Sequence, residues 1–320
     1  MDEITFPSDA FMKDDFELFA YRRSGRSGLH LPLLTLGLRP DMGSPNRLTS
    51  TSSLLYHALQ AGITSFDVTP RRNTYVASGG DELGRTLSVW QAERPELIIS
   101  ARIGFATGFG SLDGFGSRKR ILSAVDQLLR RTGLDHLDIL YAHRYDPTTP
   151  LEETANALAT AVHQGKALYT GLSSYAPALA DKAAGMLQDL GTPAVACQAS
   201  YSLLNRWVEE GLLGILEKHG IGCVACAPLH HGDLSQQAFI QPSISDATTD
   251  LHNLAMDRGQ TSAQLALSWV LREPKISSTL LTTANPTHLL EIVQATNNLS
   301  FTPTELAILD HCYPPTGAPS

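Results

Sequence analysis

Hydrophobic residues along the chain alternate between short apolar runs and longer segments with helical spacing. One helix face is marked at three- and four-residue intervals by Leu54, Leu55, Ala58 and Leu59, and Gly62 follows as a stop signal. The same succession of helix and strand signals repeats to the end of the chain. It predicts strands at 33–38, 64–68, 97–103, 137–143, 167–173, 194–199, 222–227 and 278–281.

Strands that each precede a helix are most simply arranged as an α/β protein of the (β/α)8 TIM-barrel type. Gly25 and Gly28 mark the turns of a β-hairpin before the first strand, and extra helices are expected at 287–297 and 303–311. A doubly wound open sheet is the alternative, but no Gly-x-Gly-x-x-Gly follows a predicted strand. We predict an N-terminal extension at 1–18 and a single barrel domain at 19–320.

Composition sets limits on partners and location. The formal net charge of −8 argues against a broad basic surface for nucleic acid, and no apolar run approaches the length of a membrane span. The N-terminal segment has no apolar stretch of the kind found in secretory signals, so we expect a cytoplasmic protein. A small molecule is the expected substrate, and a homo-oligomer is compatible with the sequence.

Cysteines and histidines do not combine into an expected metal site. Cys223 and Cys226 lie on one predicted strand, where residues three apart point to opposite faces, so we interpret both as core residues. His230 and His231 follow this strand and could join His143, but adjacent strand residues also point apart. We interpret the pair as substrate contacts or proton-transfer residues.

The loop after the second strand carries the candidate chemistry. Asp67 stands near the end of this strand, and a polar loop with Arg71, Arg72 and Tyr75 follows it. In a barrel of alternating strands and helices, the loops at the carboxyl ends of the strands form the active site. A polar pocket containing Asp67 and arginines is therefore expected there.

Several segments, in order along the chain, resemble the aldo-keto reductase family. They lie at 61–67 (AGITSFD), 116–119 (GSRK), 142–144 (AHR), 165–175 (GKALYTGLSSY), 202–207 (SLLNRW) and 263–269 (AQLALSW). Within the family, the chain is most similar to the glyceraldehyde 3-phosphate reductase and potassium-channel β-subunit group. The resemblance implies a barrel that reduces carbonyls with NADPH, using an Asp, a Tyr acid, a Lys and a His.

Two of these four catalytic positions match and two are altered. Asp67 and His143 stand at the family positions, whereas Arg72 falls at the tyrosine position and Arg102 at the lysine position. Arginine has too high a pKa to donate a proton near neutral pH. Tyr75 lies close to the spacing expected of the acid when counted back from the following helix. The simpler alternative for Arg102 is an ion pair with Asp67 that stabilises the end of the barrel.

The resemblance also implies a nicotinamide site. Ser173, Ser174, Gln198 and Tyr201 match residues that bind the carboxamide and stack on the ring. Asn285 stands where an arginine would contact the 2′-phosphate of NADPH, so the contact with this phosphate is weakened.

These changes favour non-redox chemistry in a family fold. The main hypothesis is a lyase- or isomerase-type enzyme that needs no cofactor and dehydrates, isomerises or cyclises a small carbonyl, hydroxy or anionic substrate. One alternative is a divergent NADP(H)-dependent aldehyde or ketone reductase that uses Tyr75 as the acid. The other is a non-catalytic binding or regulatory subunit.

Overall fold

The barrel is formed by eight parallel strands in chain order. The structure, a computed structural model, describes residues 20–38, 47–68, 94–104, 115–229 and 246–314. A hairpin of β1 (Tyr21–Arg23) and β2 (His30–Pro32) precedes the barrel. The barrel strands are β3 (Leu34–Leu38), β4 (Ser65–Val68), β5 (Ile98–Ile103), β6 (Leu137–Ala142), β7 (Ala167–Ser173), β8 (Ala194–Ser200), β9 (Gly222–Cys226) and β10 (Ile276–Leu281). Because β10 pairs with β3, the sheet closes. The predicted (β/α)8 barrel with an N-terminal hairpin is confirmed.

Helices connect the strands on the outside of this ring. The helices are α1 (Arg47–Gln60), α2 (Arg118–Thr132), α3 (Leu151–His163), α4 (Pro177–Asp189), α5 (Leu212–His219), α6 (Asp246–Asp257), α7 (Ser262–Leu271), α8 (Pro286–Val293) and α9 (Pro303–Cys312). The last two are the predicted extra C-terminal helices. Within the described residues, no helix combines the length and apolar character needed to cross a membrane.

Strand alternation separates an outer core from the barrel interior. Phe66 and Val68 of β4 belong to the large apolar cluster that also contains the helix residues. Asp67, between them, points the other way, because its carboxylate bonds to Gln198 of β8. β4 and β8 are not neighbours in the ring, so this hydrogen bond runs through the interior.

The N-terminal hairpin packs against the amino-terminal ends of the barrel strands. Leu31 joins an interior apolar cluster whose other members come from the barrel strands, among them Ile98, Ile139, Val224 and Leu280. At the hairpin turn, Gly25 has φ +57°, and a Cβ there would lie 2.0 Å from the Gly220 oxygen. Glycine is required at this close approach.

One predicted helix is divided in the structure. The apolar pattern at 207–219 predicts a single helix, whereas a 3₁₀ turn at Trp207–Glu209 is separated from α5 by Gly211. Gly211 has φ +114°, which a right-handed helix does not allow. The predicted extension at 1–18 lies outside the described residues, and the single-domain division stays a prediction.

Candidate active site

Asp67 is fully buried, and its carboxylate is surrounded by donors. The Arg102 guanidinium contacts Oδ1 through Nε and Nη2, each at 3.0 Å. Oδ2 accepts hydrogen bonds from Ser100 Oγ at 3.1 Å and from Gln198 Nε2 at 2.8 Å. A carboxylate can be retained in such a place only with an opposite charge and hydrogen bonds. The structure therefore brings together three of the sequence-predicted residues, Asp67, Arg102 and Gln198.

Arg102 provides a fixed positive charge at the end of β5. Burial acts to lower the pKa of Arg102, but the neighbouring Asp67 carboxylate more than offsets it, and the pKa is raised. Arg102 therefore stays cationic and cannot act as an acid. It can stabilise negative charge that develops on a substrate oxygen nearby.

His143 directly follows β6 and is half-buried beside the same cluster. Its backbone N–H donates to the Ile103 carbonyl at 2.9 Å, which fixes the chain where the two strands end. Burial, followed by the charges of Arg102 and Arg144, lowers the pKa of His143 to about 4, although Asp67 opposes this shift. At neutral pH the imidazole is uncharged, with one ring nitrogen as a donor and the other as an acceptor.

Sequence analysis missed Ser100, Tyr141 and Cys226, which lie in the same part of the interior. The signal was the two-residue period of a strand, since Ser100 precedes Arg102 by two residues and Tyr141 likewise precedes His143. Burial raises the pKa of Cys226 to about 12, Arg102 opposes this shift and Asp67 adds to it. Cys226 is thus near the ion pair, and its thiol is not ionised at neutral pH.

The expected opposite orientation of the two cysteines on β9 is observed. Cys223 is completely buried in the outer core, whereas Cys226 packs against the interior cluster. Cys223 is therefore a core residue, as expected. Cys226 is also packed in the interior, but it lies beside Arg102, which its interpretation as a core residue did not include. Among the described residues, no group of three metal-ligating side chains comes together.

Ser173 and Gln198 are register partners at the ends of β7 and β8. Gln198 Oε1 is buried and accepts no hydrogen bond from the described residues. Next to Ser173, Ser174 has φ +58°, and its N–H donates to the Gln198 carbonyl at 2.9 Å. Ala227, directly after β9, has φ +50°. Left-handed conformations of non-glycine residues are uncommon and recur at functional sites.

A model of the aldo/keto reductase family matches residues 36–314. The chain belongs to the aldo/keto reductase family.

Two groups of relatives accompany this match. An L-glyceraldehyde 3-phosphate reductase of Escherichia coli (strain K12) is 40% identical over 315 residues, which cover 91% of each protein. A putative voltage-gated potassium channel subunit beta of Schizosaccharomyces pombe is 28% identical over 304 residues, covering 86% of this chain and 87% of the relative. A probable subunit of the same kind from Arabidopsis thaliana is 28% identical over 301 residues, covering 86% and 90%. The similarity therefore extends over most of the aldo/keto reductase chain.

In this aldo/keto reductase, Tyr201 lies apart from the carboxylate cluster. Its ring packs against Trp269 of α7 with centroids 5.3 Å apart. Its hydroxyl donates to Glu209 at 2.6 Å, and Arg272 donates to it in turn at 3.4 Å. The ring and the hydroxyl of Tyr201 are thus engaged with Trp269, Glu209 and Arg272, and its assignment to the cofactor stays a prediction.

Asn285 also has a structural role that sequence analysis did not foresee. It is the N-cap of α8, where its side-chain oxygen accepts from the Thr287 N–H at 2.9 Å. The cap satisfies one of the unpaired N–H groups of the helix. Arg72, Tyr75, His230 and His231 lie outside the described residues, so their assignments stay predictions.

Two sequence-based expectations about chemistry were wrong. Lyase- or isomerase-type chemistry is overturned by the family and by the reductase that is 40% identical over most of the chain, which indicate an oxidoreductase. The expectation that no cofactor is required fails with it, because reductases of this family use NADP(H). The error came from giving too much weight to the altered positions at 72 and 102. A cationic side chain at 102 still provides charge to Asp67, as the ion pair shows.

Proposed function

We propose that this protein is an NADP(H)-dependent reductase of small aldehydes or ketones. The support is the polar cluster at the carboxyl ends of the barrel strands, together with the reductase that is 40% identical. An interior with a carboxylate, an arginine, a histidine and an amide suits an enzyme better than a binding subunit, whose contact surface would be apolar.

One observation carries the cofactor assignment. Gln198 Oε1 is buried and without a hydrogen-bond partner in the described structure, while the nitrogen of the same amide bonds to Asp67. A buried amide oxygen without a partner is unfavourable, so a ligand N–H is expected there. The carboxamide of a nicotinamide ring provides this donor. Ser173 is the register partner of Gln198, and Ser174 directly follows Ser173.

In the proposed reaction, the cofactor and the protein side chains have separate chemical roles. When bound, NADPH supplies a hydride to the carbonyl carbon. Neutral His143 orients the carbonyl oxygen by donating a ring N–H, and Arg102 stabilises the negative charge that develops there. Tyr75 is our proposed proton donor, since arginine at position 72 cannot release a proton. Asp67 orients Arg102 through the two contacts to its guanidinium.

The first experiment is a titration of the purified protein with NADPH and NADH, followed by protein fluorescence and by NADPH oxidation with small aldehydes. Saturable binding in the micromolar range and turnover that is lost in Tyr75→Phe would support the proposal. Arg72→Gln is the matched control and should keep NADPH binding. No binding at millimolar cofactor would overturn the proposal.

A further inference from the structure

Ser100 is a buried hydroxyl beside Asp67 to which the proposed reaction gives no role. It lies on β5 as the register partner of Asp67 on β4, and it is 3% exposed. Its hydroxyl has two acceptors within reach, Asp67 Oδ2 at 3.1 Å and the Phe66 carbonyl at 3.5 Å. The shorter contact is to a carboxylate, which is the stronger acceptor, so the hydroxyl donates to Asp67.

The donors around Asp67 are divided between its two carboxylate oxygens. Ser100 Oγ and Gln198 Nε2 both donate to Oδ2, at 3.1 and 2.8 Å. The Arg102 guanidinium meets the other oxygen, Oδ1, through Nε and Nη2 at 3.0 Å each. The ion pair is therefore end-on, with two guanidinium nitrogens on a single oxygen.

Arginine and carboxylate groups often pair differently, with two parallel N–H bonds that use one carboxylate oxygen each. For Asp67, this bidentate pair would require Oδ2 to accept from Arg102. The hydrogen bonds from Ser100 and Gln198 compete with that contact, because they already occupy Oδ2. Ser100 thus favours the end-on arrangement without contacting the guanidinium itself.

The position of Arg102 along β5 makes this arrangement important for the reaction. Arg102 lies two residues nearer to the carboxyl end of the strand than Ser100, which is about 6.6 Å. His143 lies at the same end, since its N–H bonds to the Ile103 carbonyl. A guanidinium drawn into a bidentate pair would move toward Asp67 and away from a substrate oxygen beside His143.

We propose that Ser100 is a positioning residue, which donates to Asp67 Oδ2, prevents a bidentate pair and so holds the Arg102 guanidinium where it stabilises charge on the substrate oxygen. The proposal rests on the proposed function, because this charge develops during carbonyl reduction. Ser100 acts only through Asp67 and Arg102.

The test measures kcat and KM for NADPH oxidation with a small aldehyde, and the Kd for NADPH by protein fluorescence. Ser100→Ala frees Oδ2 for a bidentate pair, so we expect kcat to fall about tenfold. The Kd for NADPH should stay within about twofold of the wild-type value, since the change does not alter a proposed cofactor contact. Ser100→Cys keeps a similar side-chain shape with a much weaker donor, and its kcat should fall as well.

Ser65→Ala is the matched control. Ser65 is a similarly buried hydroxyl on β4, and its oxygen accepts from the Thr35 hydroxyl at 3.0 Å. The change removes an interior hydroxyl of the same size from the neighbouring strand. It should keep the wild-type kcat.

Arg102→Lys separates positioning from a purely structural role. The lysine ammonium has a single nitrogen and cannot form a bidentate pair. In the Arg102→Lys background, Ser100→Ala should therefore change kcat by less than about twofold. A structural role of Ser100 would lower kcat by the same factor in both backgrounds.

The outcomes distinguish the two proposals. A Ser100→Ala kcat equal to that of Ser65→Ala overturns the role of Ser100 and leaves the reductase proposal standing, and so does an equal fall of kcat in both backgrounds. If Ser100→Ala does not fold, a wild-type kcat in Ser100→Cys overturns the role. If the wild type oxidises no NADPH with small aldehydes or ketones, the proposed function fails, and the role of Ser100 fails with it.

Discussion

At the level of single residues, the free energy of unfolding depends most strongly on the buried Asp67–Arg102 ion pair. Arg102→Met would leave the Asp67 carboxylate buried without its cation while keeping much of the side-chain volume. We expect a loss of about 3–5 kcal/mol in the free energy of unfolding, measured by urea denaturation. Adding Asp67→Asn should recover a large part of this loss. A double variant as unstable as Arg102→Met would show that the charge is not the cause.

The lowered pKa of His143 predicts that the free energy of unfolding depends on pH. Its pKa is about 4 in the folded protein, against about 6.5 for an ordinary histidine, so between these values the unfolded chain binds the proton more readily. The contribution of His143 to stability therefore falls as the pH drops from 7 to 5, by about 2 kcal/mol. Urea denaturation of His143→Gln at both pH values should show a correspondingly smaller pH effect.

His163→Gln, at the exposed end of α3, is the control for this measurement. It should lose as much stability as the wild type between the two pH values. An equal loss in His143→Gln would mean that other groups cause the pH effect.

The sequence predicted only part of the site at this scale. Asp67, Arg102 and His143 were found because they stand at the ends of predicted strands or match the family. Tyr141 and Cys226 were overlooked because an aromatic or a thiol in an apolar run resembles ordinary core. Only the closed ring shows that these side chains face Asp67 across the interior.

At the level of elements, Arg22 links the hairpin to a helix end. Its guanidinium donates to the carbonyls of Leu271, Glu273 and Ile276 at 2.7, 3.1 and 2.8 Å, where α7 ends and β10 begins. Arg22→Gln should lower the free energy of unfolding by about 2 kcal/mol, because partly buried carbonyls lose a charged donor.

Arg23→Gln is the matched control for Arg22, since the Arg23 side chain is exposed and, in the described structure, bonds only to carbonyls of its own turn. The free energies of unfolding of the two variants, measured by thermal or urea denaturation, should differ clearly. Equal stability of both would show that the contact to α7 does not hold the hairpin in place.

The N-termini of two helices show which capping hydrogen bonds local sequence rules can predict and which they cannot. Ser117, a residue type that commonly caps helices, occupies the N-cap position of α2, but its hydroxyl makes no cap hydrogen bond. The Arg118 N–H is instead accepted by Glu153 of α3 at 2.9 Å. A partner from another helix cannot be found from the sequence around one helix. Thr261, by contrast, forms a full capping box with Gln264 within its own segment.

At the level of the whole molecule, NADPH binding should raise thermal stability. A ligand that binds only the folded state adds about 2.7 kcal/mol at a free concentration one hundred times its Kd. For a chain of this size we expect Tm to rise by about 5 °C, measured by differential scanning fluorimetry or calorimetry. Inorganic pyrophosphate at the same concentration is the control and should have little effect. A Tm that does not change with millimolar NADPH would contradict the reductase proposal.

The architecture was the most predictable property at this scale. Regular alternation of apolar runs and helical spacing leaves few arrangements that bury every strand on both faces, and the barrel is the simplest. The reaction was harder to predict, because arginines at positions 72 and 102, where the family has a tyrosine and a lysine, favour a loss of redox chemistry. The similarity of most of the chain to a reductase carries more information than either position.

The pairing of β3 with β10 also has a consequence for synthesis of the protein. Leu34 lies beside Thr279 in the register, so the ring joins strands from nearly opposite ends of the sequence. A nascent chain that has not yet released β10 from the ribosome carries two unpaired strand edges, one on β3 and the other on β9. Such edges can recruit strands from other chains. Translation that stalls before Leu281 would therefore produce an aggregation-prone fragment, and chaperone contact should continue until the last barrel strand has emerged.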